Sequence, residues 1–544
     1  MLDLRERSRL GLLTGLALAG LLLAPLLGPG YVLVRDMVFV PRTPIGGQLL
    51  GLSGVPRGVP SELVVALLSR LVATGWLQDL VLVAIVLSGT WGAARLAPTT
   101  SRAGAVAAAT TYGWSVYLHE RLLLGQWALL VGWAVLPWAV RAALDWRRGG
   151  TGWWAMAALA LASLGGANAL LLVGLAVVVC GYPLRAAVAL VVLSLPWAVP
   201  GLLQHLAAGD PAGVGSFAAN SDLGLGLVGS LLTAGGVWSS DAVPPGRNAG
   251  SVIAVVVLLV AAVGLPSLRA RLGSRVLVLA GLGLVLALSG HLAPGALRWA
   301  VVHVPAAGLL RDGQRWIVLL EVAAAAGVAC GVELLLSRVP RSEVRRLAAV
   351  LLVLAPLAAL PGAAWGESGR LGVSHYPSDW ERITAQAHGT VLVLPWTLYR
   401  AFPWTHGDTV LDPATKLLER PVVNDALPLT GQVVRGEDPL AARLDAAVRS
   451  GEALQTVLVR EGVRQVLVER TTAGFDPALA ARQTVGLRVL ADSPELTLYD
   501  VGTGSTARSV TLWPVVLGDL LALGFGLTGL VQAVRLRRCY LPEP

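Results

Sequence analysis

Apolar runs of roughly twenty residues recur along this chain, and a run of that length is what an α-helix needs to cross the hydrocarbon core of a bilayer. Twelve such segments can be read, at about 10–28, 76–96, 103–119, 125–144, 153–166, 168–183, 186–204, 251–267, 275–290, 316–337, 347–363 and 509–534. Only 14% of the 544 residues are charged and 55% are hydrophobic, whereas a soluble domain carries about 25% charged residues. A water-soluble protein of this size cannot hide so much apolar surface, and disorder demands the opposite composition. The expected class is an all-α, polytopic membrane protein. No small-residue cleavage site follows Leu26-Leu27-Gly28-Pro29-Gly30, so the first segment reads as a retained anchor. The fifth and sixth segments are short and joined by Gly165-Gly166-Ala167-Asn168, so the count is twelve give or take two.

The net charge is +9, and Lys416 is the only lysine among the 42 basic residues. Nucleic-acid binding would need those charges on one accessible face. Instead they sit in short loops between apolar runs, which excludes a nucleic-acid partner and leaves the lipid bilayer. With the N-terminus inside, the inner segments hold 19 Arg and the short outer loops nine basic residues. By the positive-inside rule both termini are then cytoplasmic, and segment 365–508 lies outside with the loops at 30–75, 205–250 and 291–315. Three scattered cysteines give neither a disulfide framework nor a zinc site.

Residues 365–508 change character, with 14 Lys+Arg against 17 Asp+Glu. Segments 390–394 and 465–469 are short apolar runs of strand type, and 496–500 alternates. Segments 379–387, 439–449 and 452–461 read as helices, with starts at Pro377-Ser378-Asp379 and Glu437-Asp438-Pro439. The expected organisation is a membrane module over 1–364, an extracytoplasmic α/β domain over 365–508, and a final membrane helix with a cytoplasmic tail over 509–544.

Familiar catalytic strings fail on inspection. His119-Glu120 lacks the second zinc-binding His, since Leu123 stands in its place, and Gly224 to Gly229 has no preceding strand. Ionisable residues at the outer ends of the spans are more informative, because charge near lipid is costly and tends to mark function. Arg35-Asp36 follows the first span, His119-Glu120-Arg121 and Gln126 lie between the third and fourth, and Arg311-Asp312 and Arg315 lead into the tenth, with Glu321 further along it. Asp79 and Asp519 read as structural. Arginine clamps phosphate with a planar fork of donors, and a carboxylate can accept a proton from an attacking hydroxyl. Such a set suits transfer from a preactivated, lipid-linked donor.

At these segments the chain resembles the GT-C superfamily of glycosyltransferases, in particular its actinobacterial arabinofuranosyltransferase-like and bacterial YfhO-like branches. The resemblance rests on Asp36 after the first span, on the string from Glu120 to Trp138, on Leu310-Arg-Asp-Gly-Gln-Arg-Trp-Ile317, and on a large outer domain near the C-terminus. It implies a polyprenyl-phosphate-sugar donor, a glycan, lipid or protein acceptor in the cell envelope, and Asp36 as general base. Arg35 stands where the family commonly has a first acid, which leaves a divalent cation open and no cofactor firmly implied. By position and chemistry, Arg311, Arg315 and Arg35 are expected to bind the donor phosphate. His119, Glu120, Arg121, Gln126, Asp312 and Glu321 are expected to line the cavity. The aromatics Trp396, Tyr399 and Trp404 offer sugar-stacking faces, a membrane belt or a domain core. A flippase of envelope lipids and a non-catalytic assembly protein are the alternatives.

Overall fold

The computed structural model describes residues 3–52, 55–56, 58–204, 209–429, 432–502 and 512–539. The expected boundary at 508–509 and the end of the tail fall outside them. All twelve apolar segments are helical: α1 (Leu4–Leu23), α2 (Thr74–Leu96), α3 (Arg102–Gly113) followed by a short α4 (Val116–Leu123), α5 (Trp127–Arg147), α6 (Trp153–Ser163), α7 (Gly166–Cys180), α8 (Pro183–Leu203), α9 (Ser251–Leu272), α10 (Arg275–Ala287), α11 (Val318–Ser337), α12 (Ser342–Ala358) and a terminal helix Trp513–Cys539.

Seven of these are long and apolar enough to cross a membrane: α1, α2, α5, α8, α9, α11 with its lead-in turn, and the terminal helix. The chain is thus a multi-pass membrane protein; among the described residues the other apolar helices are shorter than these seven. Helix α12 reaches spanning length only together with Pro361–Gly369, across a bend of 65°. Helix α3 stops where Ser115 starts a new helix by accepting the Leu118 amide at 3.3 Å. Helices α6 and α7 are separated at Gly165-Gly166, where Gly166 takes φ +77°. Small residues set the packing. A Cβ on Gly264 of α9 would stand 2.0 Å from the Gly327 carbonyl oxygen of α11, and one on Gly331 would stand 2.0 Å from that of Val260. Helices α9 and α11 approach backbone to backbone, as membrane helices do where small residues line the interface.

The C-terminal region carries the strands. After β1 (Tyr31–Val32) come β2 (Val373–Ser374), β3 (Thr390–Leu394), β4 (Tyr399–Ala401), β5 (Thr409–Leu411), β6 (Arg420–Val422), β7 (Leu427–Leu429), β8 (Gln432–Val434), β9 (Gln465–Glu469), β10 (Arg488–Asp492) and β11 (Leu496–Asp500). Five form one sheet in the order β10-β11-β9-β3-β6, with β3 parallel to both β6 and β9. The expected strands at 390–394, 465–469 and 496–500 are its centre, and the expected helices are Ser378–Thr384, Pro439–Ser450 and Gln455–Arg460. Asp438 caps the second of these, accepting the Leu440 and Ala441 amides. Successive strand residues point to opposite faces. Val391, Val393 and Leu467 therefore enter one core, while Leu392, Leu394, Val466 and Val468 enter another beneath Leu444 and Leu458.

The first of those cores is not made by the C-terminal region alone. Leu33, Val38 and Val40, from the loop after α1, are buried in it against Trp380, Ile383, Phe402 and Val410. The same loop pairs β1 with β2, Tyr31 opposite Ser374 and Val32 opposite Val373.

Candidate functional site

Every residue of α4 is buried, including three consecutive ionisable ones. At 100° per residue these side chains fan out in three directions. His119 Nδ1 meets Glu367 Oε1 at 2.5 Å. Glu120 Oε2 accepts from Gln314 Nε2 at 2.7 Å. Arg121 grips Asp312 with both terminal nitrogens, at 2.5 and 3.0 Å, and Gln126 Oε1 at 2.6 Å, and it donates to Gln314 Oε1 as well. The Tyr117 hydroxyl donates to the Arg315 carbonyl at 3.2 Å. The segment 312–315 is thereby clamped onto α4.

Burial raises the Glu120 carboxyl well above the usual range, and the neighbouring Asp222 carboxylate pushes it the same way. Asp222 is itself held down despite burial, because Arg247 lies at 3.2 Å. Asp312 is likewise lowered against its burial by Arg121. Burial acts to lower the Arg121 guanidinium, yet Asp312 outweighs it and the net shift is upward. The centre is a carboxyl whose pKa burial raises, set among fixed ion pairs.

Asp36 sits on the same corner. Its amide donates to the Leu124 carbonyl at 3.2 Å, one turn past Arg121. The reciprocal Val34–Met37 bonds fold the loop tightly over Gly125. Gly125 has φ +73°, and a Cβ there would stand 2.2 Å from the Val34 oxygen and 2.3 Å from the Met37 nitrogen. The loop is fixed from the other side by the Arg35 amide on the Thr409 carbonyl at 2.9 Å and the Leu411 amide on the Arg35 carbonyl at 2.7 Å. The Tyr399 hydroxyl donates to Asp36 Oδ1. Asp36 is half-buried, and its Oδ2 makes no hydrogen bond among the described residues.

The expected phosphate-binding arginines diverge. Arg35 pairs with Asp241 at 3.1 Å. Arg311 pairs with Glu437 at 3.3 Å and lies over the Phe217 ring. Arg315 turns the other way: it is 3% exposed, donates to Asn168, and leaves Nε and Nη2 without a hydrogen-bond partner among the described residues. Of the six expected cavity-lining residues, His119, Glu120, Arg121, Gln126 and Asp312 meet one another or Gln314 and Glu367. Glu321 is separate, accepting from Trp133 Nε1 at 3.4 Å deeper in the membrane part.

The three aromatics of the C-terminal region, Trp396, Tyr399 and Trp404, are each half-buried. Trp404 stacks on Phe402 at 4.9 Å and meets Tyr376 and Trp380. Trp396 donates to Asp445 at 2.9 Å, and Tyr399 is the residue on Asp36. Among the described residues no group of three or more His, Cys, Asp or Glu side chains is arranged to hold a metal.

Sequence reasoning missed Gln314, Asp222, Arg247, Asn168 and Glu367. Gln314 lies inside the quoted segment 310–317. Glu367 carried a weaker signal, an acid within Trp365-Gly-Glu-Ser-Gly369 just past an apolar run. Its setting is unusual, since Trp365, Gly366, Glu367 and Ser368 all have φ between 55° and 63°. This is one left-handed turn, costing about 1–2 kcal/mol per L-residue, and it brings Glu367 onto His119. Strain of this kind persists where surrounding contacts over-determine it.

Compared with known proteins, the chain matches no family model, no curated protein and no solved structure.

Proposed function

We propose that the chain is a membrane glycosyltransferase of the GT-C kind. It moves a sugar from a polyprenyl-phosphate donor to a glycan, lipid or protein acceptor of the cell envelope, with both termini cytoplasmic and the C-terminal α/β region outside. One observation carries the reading. Asp36 is seated by its amide on the corner 121–126 that grips Asp312 and Gln314, and one of its carboxylate oxygens has no hydrogen-bond partner among the described residues.

In this reading Asp36 Oδ2 takes the proton of an acceptor hydroxyl as that oxygen attacks the anomeric carbon. The bond from that carbon to the donor phosphate breaks, and polyprenyl phosphate leaves with the electron pair. Arg315 is the best placed of the three arginines to meet the phosphate, having two unpartnered donors. Arg35 and Arg311 already hold ion-pair partners, Asp241 and Glu437. The rival reading, a non-catalytic assembly protein, draws support from that same engagement of arginines in ion pairs.

Membranes carrying the wild-type or Asp36→Asn chain, supplied with radiolabelled polyprenyl-phosphate arabinofuranose or mannose, separate the two. The expected result is transfer by the wild type and a loss of about a hundredfold or more in the variant, at equal protein level. Equal transfer by both chains removes Asp36 from the chemistry. Absence of transfer by either, with unaltered envelope glycan in a deletion strain, favours the assembly role.

A further inference from the structure

In open α/β sheets a ligand binds beyond the carboxyl ends of the strands, where the chain's connections turn to opposite sides. Here that place lies between β3 and β9: the chain leaves β3 toward β6 on one side, and leaves β9 toward β10 and β11 on the other. The crevice is already taken by the chain itself. Arg400 of β4 is buried in it, Nη2 donating to the Pro395 carbonyl at 2.7 Å, just past β3. Its Nη1 is 3.0 Å from Glu469 Oε2 at the end of β9, and its Nε is 3.0 Å from Asp412 Oδ2 just past β5. All three side chains are at most 1% exposed. The β4–β5 hairpin is thus pinned where a free ligand would be held.

The residue before that anchor is Tyr399. The hairpin's other strand holds the Arg35 backbone through Thr409 and Leu411, so Tyr399 and Asp36 are registered against each other by main-chain bonds. We propose that Tyr399 is a positioning residue for Asp36: its hydroxyl occupies Oδ1 and turns Oδ2 to the acceptor, making the C-terminal region part of the reaction site. This rests on the glycosyltransferase reading above. A carboxylate fixed in one rotamer takes the proton from one geometry, and loosening that geometry slows the chemical step more than it weakens donor binding.

The test is steady-state transfer by Tyr399→Phe, Arg400→Lys, Asp36→Asn and the double variant Asp36→Asn/Tyr399→Phe, each checked for an unchanged thermal melt. Tyr399→Phe keeps the ring and its packing and removes only the donor. Expected are a tenfold or greater fall in kcat with donor KM unchanged for Tyr399→Phe, the same pattern for Arg400→Lys, and a double variant no slower than Asp36→Asn alone. A Tyr399→Phe chain with wild-type kcat overturns the positioning role while Asp36 keeps its own. A fall confined to KM also overturns it. Wild-type transfer by Asp36→Asn, or none by the wild-type chain, removes the reaction and this role with it. If Arg400→Lys melts early, the Tyr399→Phe split decides alone.

Discussion

Replacing Gly125 by alanine tests the seat of Asp36 most directly. At φ +73° an L-residue with a Cβ costs about 1–2 kcal/mol. The new carbon would also lie 2.2 Å from the Val34 oxygen and 2.3 Å from the Met37 nitrogen, roughly an ångström inside contact distance. The strand of backbone from Val34 to Met37 must therefore lift by about that much. Lifting it breaks the Asp36 amide bond to Leu124, about 1 kcal/mol, and uncovers Met37, which is fully buried. The expected loss is about 3 kcal/mol, read as an early melt of the detergent-solubilised chain. Gly281→Ala is the control, since a Cβ on this helical glycine meets nothing within 4 Å. If Gly125→Ala melted with Gly281→Ala, the close approach of the two loops would be disproved. On the proposed function, Gly125→Ala also loses transfer, because Asp36 moves away from the corner that carries Arg121.

Glu120→Gln is expected to change how stability depends on pH. Burial, aided by Asp222, raises the Glu120 carboxyl well above its ordinary 4.5, so the folded chain keeps a proton the unfolded chain gives up. That contribution is complete below about pH 4.5 and is lost as the pH rises toward the folded value. Glutamine carries no such proton, so its melting temperature should fall less between about pH 5 and 8 than that of the wild type; parallel curves would count against a protonated Glu120. Arg400→Met leaves Asp412 and Glu469 buried without their cation and should cost about 3–5 kcal/mol. The readout is limited proteolysis of the C-terminal region, and wild-type resistance would show that the arginine does not hold the hairpin.

The helices were legible because apolar runs are the strongest signal a chain offers, and each of the twelve segments is helical over most of its described length. Their lengths were less so: the break at Gly165-Gly166 was marked by its glycines, whereas Ser115 ends a helix inside an apolar stretch, where hydropathy carries no mark of the break. In the C-terminal region the strands at 390–394 and 465–469 were readable as short apolar runs, whereas β4 and β5 were not, being three residues each and held by Arg400 rather than by hydrophobic pattern. At the candidate site, residue type pointed to Asp36 and Arg121 but gave no pairings. Arg311 and Arg315 are four positions apart and were read as a joint clamp, yet the turn between Gln314 and Ile317 sends them to Glu437 and Asn168 respectively. Tyr399 was noticed for its ring, and its hydroxyl is what reaches Asp36.

The pairing of Tyr399 with Asp36 spans 363 positions, and this sets a schedule for biogenesis. At a synthesis rate of about 5–20 residues per second, the loop after the first helix waits roughly 20–70 s for its partners to leave the ribosome. Throughout that interval Leu33, Val38 and Val40 have no core to enter, so a nascent chain arrested before residue 373 should leave them open to proteases and holdases that the finished protein turns away.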